Sequence, residues 1–256
     1  MTQHSAEAWT TRSLEARKSA CFVNYYHDNN LHHALNNINT TLSWSQLISM
    51  CGILFTRSPT TSPPSQAHVD RISRRGPDLT STHNVTTTTS TLTFTSSLLS
   101  LRGSVPTPQP AIDASTSSAL CWNGEAWRIN GIPIAPGVND TTQVFAQLLT
   151  ADGAVENILG KIEGEFAFVF YDAVRAKVWY GREWAGRRSL VRRMGADGGM
   201  QVASVGDEEG EWEEVDAGGV WCLDVESGEE VWIDTIRDGE RAGQKVGFPP
   251  MRPEPS

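Results

Sequence analysis

The stretch GEFAFVFY, residues 164–171, decides how this chain folds. Its three phenylalanines alternate with alanine, valine and tyrosine, and successive side chains of a strand point to opposite faces. A strand over 166–171 is therefore apolar on both faces, which is typical of a strand in the middle of a layered fold. The sequence predicts a central strand here, with packed layers on each side of it.

Three helices are predicted around this strand. The first spans 65–75 and is ended by the breaker pair Gly76-Pro77. The second begins at Asp140, because the Asp-Thr-Thr-Gln that starts there has the form of a capping box and apolar residues follow at helical spacing. The third is short and covers 155–162.

Strand signals fill most of the remaining chain after Cys51. The pair Asn123-Gly124 stands between two apolar runs and predicts the turn of a hairpin. Further strands are predicted over 85–101, 178–180, 189–191, 200–203, 219–223 and 231–234. This pattern indicates the α+β class, in which helices cover antiparallel sheets.

Composition and charge exclude several classes of protein. The chain has 256 residues, a net charge of -9 and 39% hydrophobic residues. Since no basic surface dominates, a general nucleic-acid-binding protein is excluded; since no stretch approaches the ~18–20 consecutive apolar residues of a membrane span, so is an integral membrane protein. The four cysteines form no CxxC pair and no secretory signal is visible, which indicates a cytoplasmic protein with reduced thiols. Residues 207–240 hold 14 acidic residues and one basic residue, a bias that usually marks a solvated surface.

The two ends of the chain differ from the part between them. Residues 1–49 hold four of the six histidines and few periodic apolar positions. These histidines would be metal ligands only if a scaffold fixed their geometry. We therefore expect no metal there, and interpret the segment as a disordered extension or a misassigned start. Residues 236–256 contain four prolines and are predicted to form a disordered tail.

Cys51 is the residue best suited to covalent chemistry. Met50 precedes it, and Met-Cys-Gly is what a start codon followed by a nucleophilic cysteine encodes. Removal of the methionine gives Cys51 a free α-amino group, whose reference pKa of about 7.7–8.0 suits a general base for its own thiol. The alternative is a small buried hydrophobic residue, the commoner role of a lone cysteine. A papain-like mechanism competes poorly, because His68 and His83 lie in sequence predicted to be helix end or loop.

Six short motifs, in their order and spacing, resemble the class II, N-terminal-nucleophile glutamine amidotransferase domain of asparagine synthetases. The motifs are Met50-Cys51-Gly52-Ile53, Arg74-Arg75-Gly76-Pro77-Asp78, Leu101-Arg102-Gly103, Trp122-Asn123-Gly124-Glu125, Asn139-Asp140-Thr141 and Gly164-Glu165-Phe166-Ala167-Phe168. A seventh motif, at 181–190, is similar to the asparagine synthetase domain-containing protein subfamily. The resemblance covers 50–235 and implies a four-layer αββα N-terminal-nucleophile hydrolase sandwich of antiparallel sheets.

The resemblance also implies the catalytic roles. Cys51 would attack the side-chain amide carbon of glutamine to form a γ-glutamyl thioester. Asn123 and Gly124 would stabilise the oxyanion, through the side-chain amide and a backbone N–H respectively. Without the resemblance, the Asn123-Gly124 pair remains a plain hairpin turn.

The substrate-binding roles rest on the same resemblance. Arg102 would hold the α-carboxylate of glutamine, a task that suits a planar guanidinium. Asp140 would bind its α-ammonium group, and Glu125 would face the amino-acid end of the substrate. Arg74 and Arg75 would shape the pocket. Without the resemblance, Arg102 is a surface arginine and Asp140 a helix cap.

The implied activity is hydrolysis of glutamine to glutamate and ammonia for asparagine biosynthesis, as the glutaminase half of a glutamine-hydrolysing asparagine synthase. Glutamine is the implied substrate, and a synthetase domain or subunit is the implied partner that receives ammonia. The glutaminase half needs no metal or organic cofactor. Mg-ATP belongs to the synthetase part, whose SGGxDS-type pyrophosphate loop does not follow residue 235, so that a synthetase domain is expected to be absent.

This activity requires Cys51 to become the N-terminus. A peptide bond to Met50 converts the basic amine into an amide, which does not accept a proton. Two alternatives therefore stay open: a catalytically inactive, glutaminase-like binding or regulatory domain, and a truncated gene product.

Overall fold

The structure, a computed structural model, describes residues 51–60, 62–99, 107–235 and 245–246. The strands are β1 (Gly52–Ser58), β2 (Leu79–Thr86), β3 (Thr91–Leu98), β4 (Ala111–Ile112), β5 (Ala119–Ile129), β6 (Ile132–Pro133), β7 (Ile162–Asp172), β8 (Lys177–Arg182), β9 (Val191–Met194), β10 (Met200–Ala203), β11 (Glu213–Glu214), β12 (Gly219–Asp224), β13 (Glu230–Asp234) and β14 (Lys245–Val246). The helices are α1 (Gln66–Ser73), α2 (Asp140–Leu149) and α3 (Val155–Leu159). The predicted extension 1–49 lies outside the described residues, as does the predicted tail except for β14.

The strands form two antiparallel sheets. Sheet I has six strands in the order β11-β9-β10-β1-β3-β2. Sheet II has eight strands, in the order β14-β13-β12-β8-β7-β5-β4 with β6 paired to β5. Strand β1 therefore lies inside sheet I, where Leu54 pairs with Ala203 of β10 and Gly52 with Ser97 of β3.

Alternation of side chains along β1 and β7 builds the layers of the fold. Ile53 of β1 and Val169 of β7 belong to the hydrophobic cluster between the two sheets. Leu54 points the other way and clusters with Ile72 of α1, and Phe168 clusters with residues of α2 and α3. The order of layers is helix, sheet, sheet, helices. The prediction of a four-layer αββα sandwich, with β7 apolar on both faces, is confirmed.

The helix starts follow capping chemistry, with one correction. Ser65 caps α1, because its Oγ accepts a hydrogen bond from the His68 N–H over 3.3 Å. Helix α2 begins at Asp140 as predicted, but Asn139 is its cap and accepts from the Thr142 N–H over 3.1 Å. The prediction that Asp140 caps the helix is wrong, because its carboxylate turns away from the helix toward β5. None of the described helices is long and apolar enough to cross a membrane.

The predicted hairpin turn at Asn123-Gly124 is also wrong. Both residues lie within β5, where Asn123 pairs with Ala167 and Gly124 with Phe166 of β7. A Cβ on Gly124 would lie 2.0 Å from the Glu165 carbonyl oxygen, and the φ of this glycine is 152°. The glycine therefore permits a close approach of two long strands, which only glycine allows.

Candidate active site

Cys51 stands at the start of β1 and is held by the chain that follows β3. The Leu99 N–H donates to the Cys51 Sγ over 3.5 Å, and the thiol donates to the Leu99 carbonyl over 3.7 Å. Gly52 is required beside it, because a Cβ there would lie 2.5 Å from the Ser97 Oγ and 2.8 Å from the Ile72 carbonyl. Sheet I and α1 thus fix the position of the sulfur.

The surroundings of Cys51 disfavour its thiolate form. Burial raises the pKa of the thiol above its ordinary value, and the Leu99 hydrogen bond and the positive charge of Arg188 offset this only in part. The thiolate is the nucleophilic form of cysteine. A reaction at this sulfur near neutral pH therefore needs a base that removes the proton.

Arg75 contacts the backbone of the candidate nucleophile. Its Nε donates to the Cys51 carbonyl over 3.4 Å, and its guanidinium also donates to the Ser189 Oγ over 3.4 Å. Burial lowers its pKa, and so does the positive charge of Arg188. Arg74, by contrast, is exposed at the end of α1. Of the two arginines predicted to shape the pocket, Arg75 is the one in contact with Cys51.

Asn123 reaches toward β1 from the opposite sheet. It is buried, with 1% of its surface exposed, and its Nδ2 donates to the Ser204 Oγ over 3.4 Å. The same hydroxyl oxygen accepts from the N–H of Ile53, two residues after Cys51, over 3.0 Å. A single serine hydroxyl therefore connects the predicted oxyanion donor to the strand that carries the predicted nucleophile.

Asp140 is buried where α2 meets β5. Its Oδ2 accepts from the Ala126 N–H over 2.8 Å and from the Trp122 Nε1–H over 3.2 Å. Its Oδ1 makes no hydrogen bond within the described part of the chain. Ala126 adjoins an irregularity in the β5–β7 register, between Ala126 and Arg128. The carboxylate is thus anchored to the strand that carries Asn123 through one oxygen.

Glu125 follows on the same strand and is partly buried. It lies directly opposite Glu165 of β7, which forms ion pairs with Arg187 at 2.8 Å and Arg188 at 3.4 Å. Arg102, the predicted carboxylate ligand, lies outside the described residues. The structure thus brings Asn123, Gly124, Glu125 and Asp140 together around β5, with Cys51 linked to them through β1.

Two residues of this site had no role in the sequence predictions. Arg188 belongs to a quoted motif but carries no local sign that its charge acts on Cys51. Ser204 directly follows the buried strand β10. A polar residue at the end of a buried strand was the one signal that pointed to it.

The two histidines that follow Cys51 in the chain both lie in regular secondary structure. His68 is buried in the first turn of α1, its Nε2 2.8 Å from the Val205 carbonyl and its Nδ1 3.3 Å from Asp207. His83 lies within β2, so the prediction that it falls in helix end or loop is wrong. Neither ring has a hydrogen bond or ion pair with Cys51 among the residues the structure covers. Within the same residues, no group of three or more His, Cys, Asp or Glu side chains is placed to hold a metal ion.

The chain is similar to known proteins in sequence and in fold. The family described as "Glutamine amidotransferase domain" matches residues 50–208. The asparagine synthetase domain-containing protein 1 of Bos taurus is 31% identical over 166 residues, 61% of this chain and 25% of that protein. The mouse protein of the same name is 34% identical over 144 residues, 52% of this chain and 22% of that protein.

A solved structure shares the fold. The glutamine phosphoribosylpyrophosphate amidotransferase from B. subtilis has a TM-score of 0.50 at 16% identity, and the likeness covers 73% of this chain and 49% of that one. At this identity the likeness extends to the fold alone. The matched region spans about a quarter of the length of the curated relatives.

Proposed function

This chain belongs to the glutamine amidotransferase domain family, and from that premise we propose that it hydrolyses glutamine to glutamate and ammonia with Cys51 as the nucleophile. The observation that carries the proposal is the hydrogen-bond link from the start of β1, beside Cys51, through Ser204 to the Asn123 amide. This link connects the strand of a candidate nucleophile to an amide donor, and acyl transfer needs these two groups held in a fixed arrangement.

The reaction starts with the proton of the thiol. When Cys51 is the first residue, its α-amine takes that proton and the sulfur attacks the side-chain amide carbon of glutamine. The carbonyl π electrons move to oxygen, and the oxyanion accepts hydrogen bonds from the Asn123 Nδ2–H and the Gly124 N–H. Collapse breaks the C–N bond, and the proton on the α-amine goes to the departing nitrogen, which leaves as ammonia.

Hydrolysis of the thioester completes the cycle. Water attacks the γ-glutamyl carbonyl while the same amine removes its proton, and the oxyanion uses the same two donors. The thiol leaves with that proton, and glutamate is released. The raised pKa of the Cys51 thiol supports this role for the amine, because little thiolate forms without a base.

Three residues are proposed to hold the amino-acid end of glutamine. Asp140 binds the α-ammonium group, and this role is supported by its Oδ1, which makes no hydrogen bond with the described residues. Glu125 assists from the same strand, and Arg102 binds the α-carboxylate. No metal or organic cofactor takes part in these steps.

We propose that the ammonia passes to a synthetase domain or subunit that activates a carboxylate with Mg-ATP, as in asparagine synthesis. The curated relatives carry asparagine synthetase in their names, and most of their length lies outside the region matched here.

A second candidate function is a glutaminase-like domain that binds glutamine without hydrolysing it. The observation that favours it is the Met50–Cys51 peptide bond of the printed sequence. That bond leaves the raised-pKa thiol without its base.

One experiment separates the two candidates. All described residues lie within one compact unit, so we expect a chain whose translation begins at Met50 to keep the described fold. Its first residue is identified by mass spectrometry, and glutamate and ammonia are measured with glutamine present. We expect turnover from the form that begins with Cys51, no turnover from its Cys51→Ala variant, and none from the uncleaved 256-residue chain. Equal turnover in the Cys51→Ala variant contradicts the proposal, and glutamine binding without turnover in the Cys51-first form favours the binding domain.

A further inference from the structure

Ser204 occupies a junction between the candidate nucleophile and the opposite sheet. It follows β10 and has 1% of its surface exposed. Its backbone N–H donates to the Ile53 carbonyl over 2.9 Å, and its Oγ accepts from the Ile53 N–H over 3.0 Å. Backbone and side chain of Ser204 together therefore hold both polar groups of the residue two positions after Cys51.

The same hydroxyl oxygen fixes one amide. The Asn123 Nδ2 donates to the Ser204 Oγ over 3.4 Å. A primary amide nitrogen carries two N–H groups, and no second hydrogen bond of this nitrogen occurs with the residues described. One N–H is therefore committed to Ser204, while the other remains for a further acceptor.

A chain of hydrogen bonds also joins Ser204 to the far side of Cys51. The Ser189 Oγ donates to the Ser204 carbonyl over 2.7 Å. Arg75 donates to the Ser189 Oγ and to the Cys51 carbonyl, each over 3.4 Å. The chain runs from Cys51 through Arg75 and Ser189 to Ser204, and so one connected set of residues contacts both the Asn123 amide and the Cys51 backbone.

We propose that Ser204 is a positioning residue that presents the Asn123 amide nitrogen to the oxyanion. This rests on the proposed function, in which Asn123 stabilises that oxyanion. Donors are effective when they are fixed before the reaction, because no reorganisation is then needed as charge develops. Without the Ser204 oxygen, the buried amide loses the hydrogen bond that fixes its rotation among the described residues.

The first test observes the amide itself in the full 256-residue chain and needs no catalysis. The side-chain NH2 resonances of Asn123 are assigned by their loss in Asn123→Ala. We expect Ser204→Ala to move both resonances and to speed their exchange with solvent by about 10-fold or more. If Ser204→Ala does not fold, Ser204→Cys serves instead, since it keeps the shape and weakens the acceptor.

Ser118 supplies the matched control. It too has 1% exposure, and its Oγ also accepts two hydrogen bonds, from the Ala173 N–H and the Thr116 hydroxyl. Ser118→Ala removes the same kind of contacts at a different place and is expected to leave the Asn123 resonances unchanged. Unchanged Asn123 resonances in the Ser204 variant overturn the proposal, whatever the activity of the chain.

The second test is a double-mutant cycle in the Cys51-first form. We expect Ser204→Ala to lower kcat about 10- to 100-fold, less than the 10²–10³-fold typical of losing a whole oxyanion donor. KM should change little, because the variant leaves the residues proposed to hold glutamine in place. In an Asn123→Ala background, Ser204→Ala should lower kcat no more than about 2-fold, since the group it positions is gone.

The outcomes separate the two proposals. If the Cys51-first form does not hydrolyse glutamine, the proposed function fails, and the resonance test still decides whether Ser204 orients the amide. If the parent hydrolyses glutamine and Ser204→Ala lowers kcat by the same factor in the parent and in Asn123→Ala, the positioning role is overturned while the proposed function stands.

Discussion

Two of the polar networks that join the two sheets differ in how completely their groups are paired. The nucleophile network links the start of β1 to β5 and consists of Cys51, Arg75, Asn123, Ser189 and Ser204. The Arg192 network links β9 to β8, β12 and β13 and consists of Tyr180, Arg192, Glu213, Trp221 and Glu230. The groups of the Arg192 network hold the layers together, whereas the nucleophile network has groups that a substrate can use.

The Arg192 network pairs its charges within the protein. Tyr180 donates to the Glu230 carboxylate over 2.6 Å, and Arg192 donates to the Tyr180 oxygen over 3.0 Å and to Glu230 over 3.3 Å. The guanidinium carbon lies 3.9 Å from the centre of the Trp221 ring. Burial raises the pKa of Glu230, although Tyr180 and Arg192 both act to lower it. These groups stabilise one another and have little capacity left for a ligand.

The nucleophile network contains one cation and no carboxylate. Arg75 donates to a backbone carbonyl and a hydroxyl, and Asn123 uses one of its two N–H groups on Ser204. Its members are therefore fixed in place, and the described residues do not use all of their hydrogen-bonding groups. We infer that stability should depend on the Arg192 network and turnover on the nucleophile network, and substitutions in each test this division.

Asn123→Ala is expected to have the largest effect, and that effect falls on turnover. In the Cys51-first form, kcat should drop about 10²–10³-fold, or about 2.7–4 kcal/mol of barrier, because the oxyanion loses a fixed donor. The free energy of unfolding should change by about 1 kcal/mol, since one long hydrogen bond is lost. Steady-state kinetics and urea denaturation of the same preparation measure both values. A large loss of stability with near-parent kcat would contradict the assignment of turnover to the nucleophile network.

Arg192→Met should have a slightly smaller effect, on stability alone. Glu230 would keep its burial and lose its positive partner, which we expect to cost about 2–3 kcal/mol of unfolding free energy, below the range for fully buried pairs because some exposure remains. Methionine keeps the packing over Trp221. At a temperature where the variant is folded, kcat should match the parent.

Glu213→Gln is the control for this variant. It removes the other carboxylate near Arg192, at 3.5 Å, but that side chain is 59% exposed. Exposed pairs contribute about 0.2–1 kcal/mol, so the loss should be small. If Glu213→Gln and Arg192→Met lower the free energy of unfolding equally, burial of Glu230 is not the reason that the Arg192 network stabilises the fold.

The same contrast explains what the sequence could predict. The alternation over residues 166–171 predicts a strand with two apolar faces. Helix α1 has both its serine cap and its breaker pair, so local sequence is enough to predict both elements. The motifs around Cys51, Asn123 and Asp140 likewise mark where a site belongs. Layer architecture and site location are therefore carried by periodicity and motif spacing.

The errors arise where two local interpretations fit equally well. Asn123-Gly124 suits a tight turn, but it also suits a strand that β7 approaches closely, and the partner strand lies some forty residues on. Asn139 and Asp140 are both good caps, and the contact of Asp140 with the Ala126 N–H decides between them. Ser204 joins residues far apart in the chain, so its role exists only in the folded protein.

The smallest expected effect is that of Arg188→Gln, which removes a charge that acts on the nucleophile network from outside it. The positive charge of Arg188 lowers the pKa of the Cys51 thiol, against the larger effect of burial. Removing the charge disfavours the thiolate, so the pKa should rise further, and alkylation of Cys51 by iodoacetamide should reach its half-maximal rate at higher pH than in the parent.

The measurement uses the 256-residue chain, in which the Cys51 amine is an amide and does not titrate, and follows the Cys51 peptide by mass spectrometry. Cys121, whose pKa burial raises to about 12, serves as the internal reference that should not respond. Arg187→Gln is the matched control, because it removes the neighbouring charge that pairs with Glu165, and we expect it to shift the Cys51 profile less than Arg188→Gln does. If both variants shift the profile equally, the effect belongs to the general positive charge of this region, and Arg188 has no specific influence on the thiol.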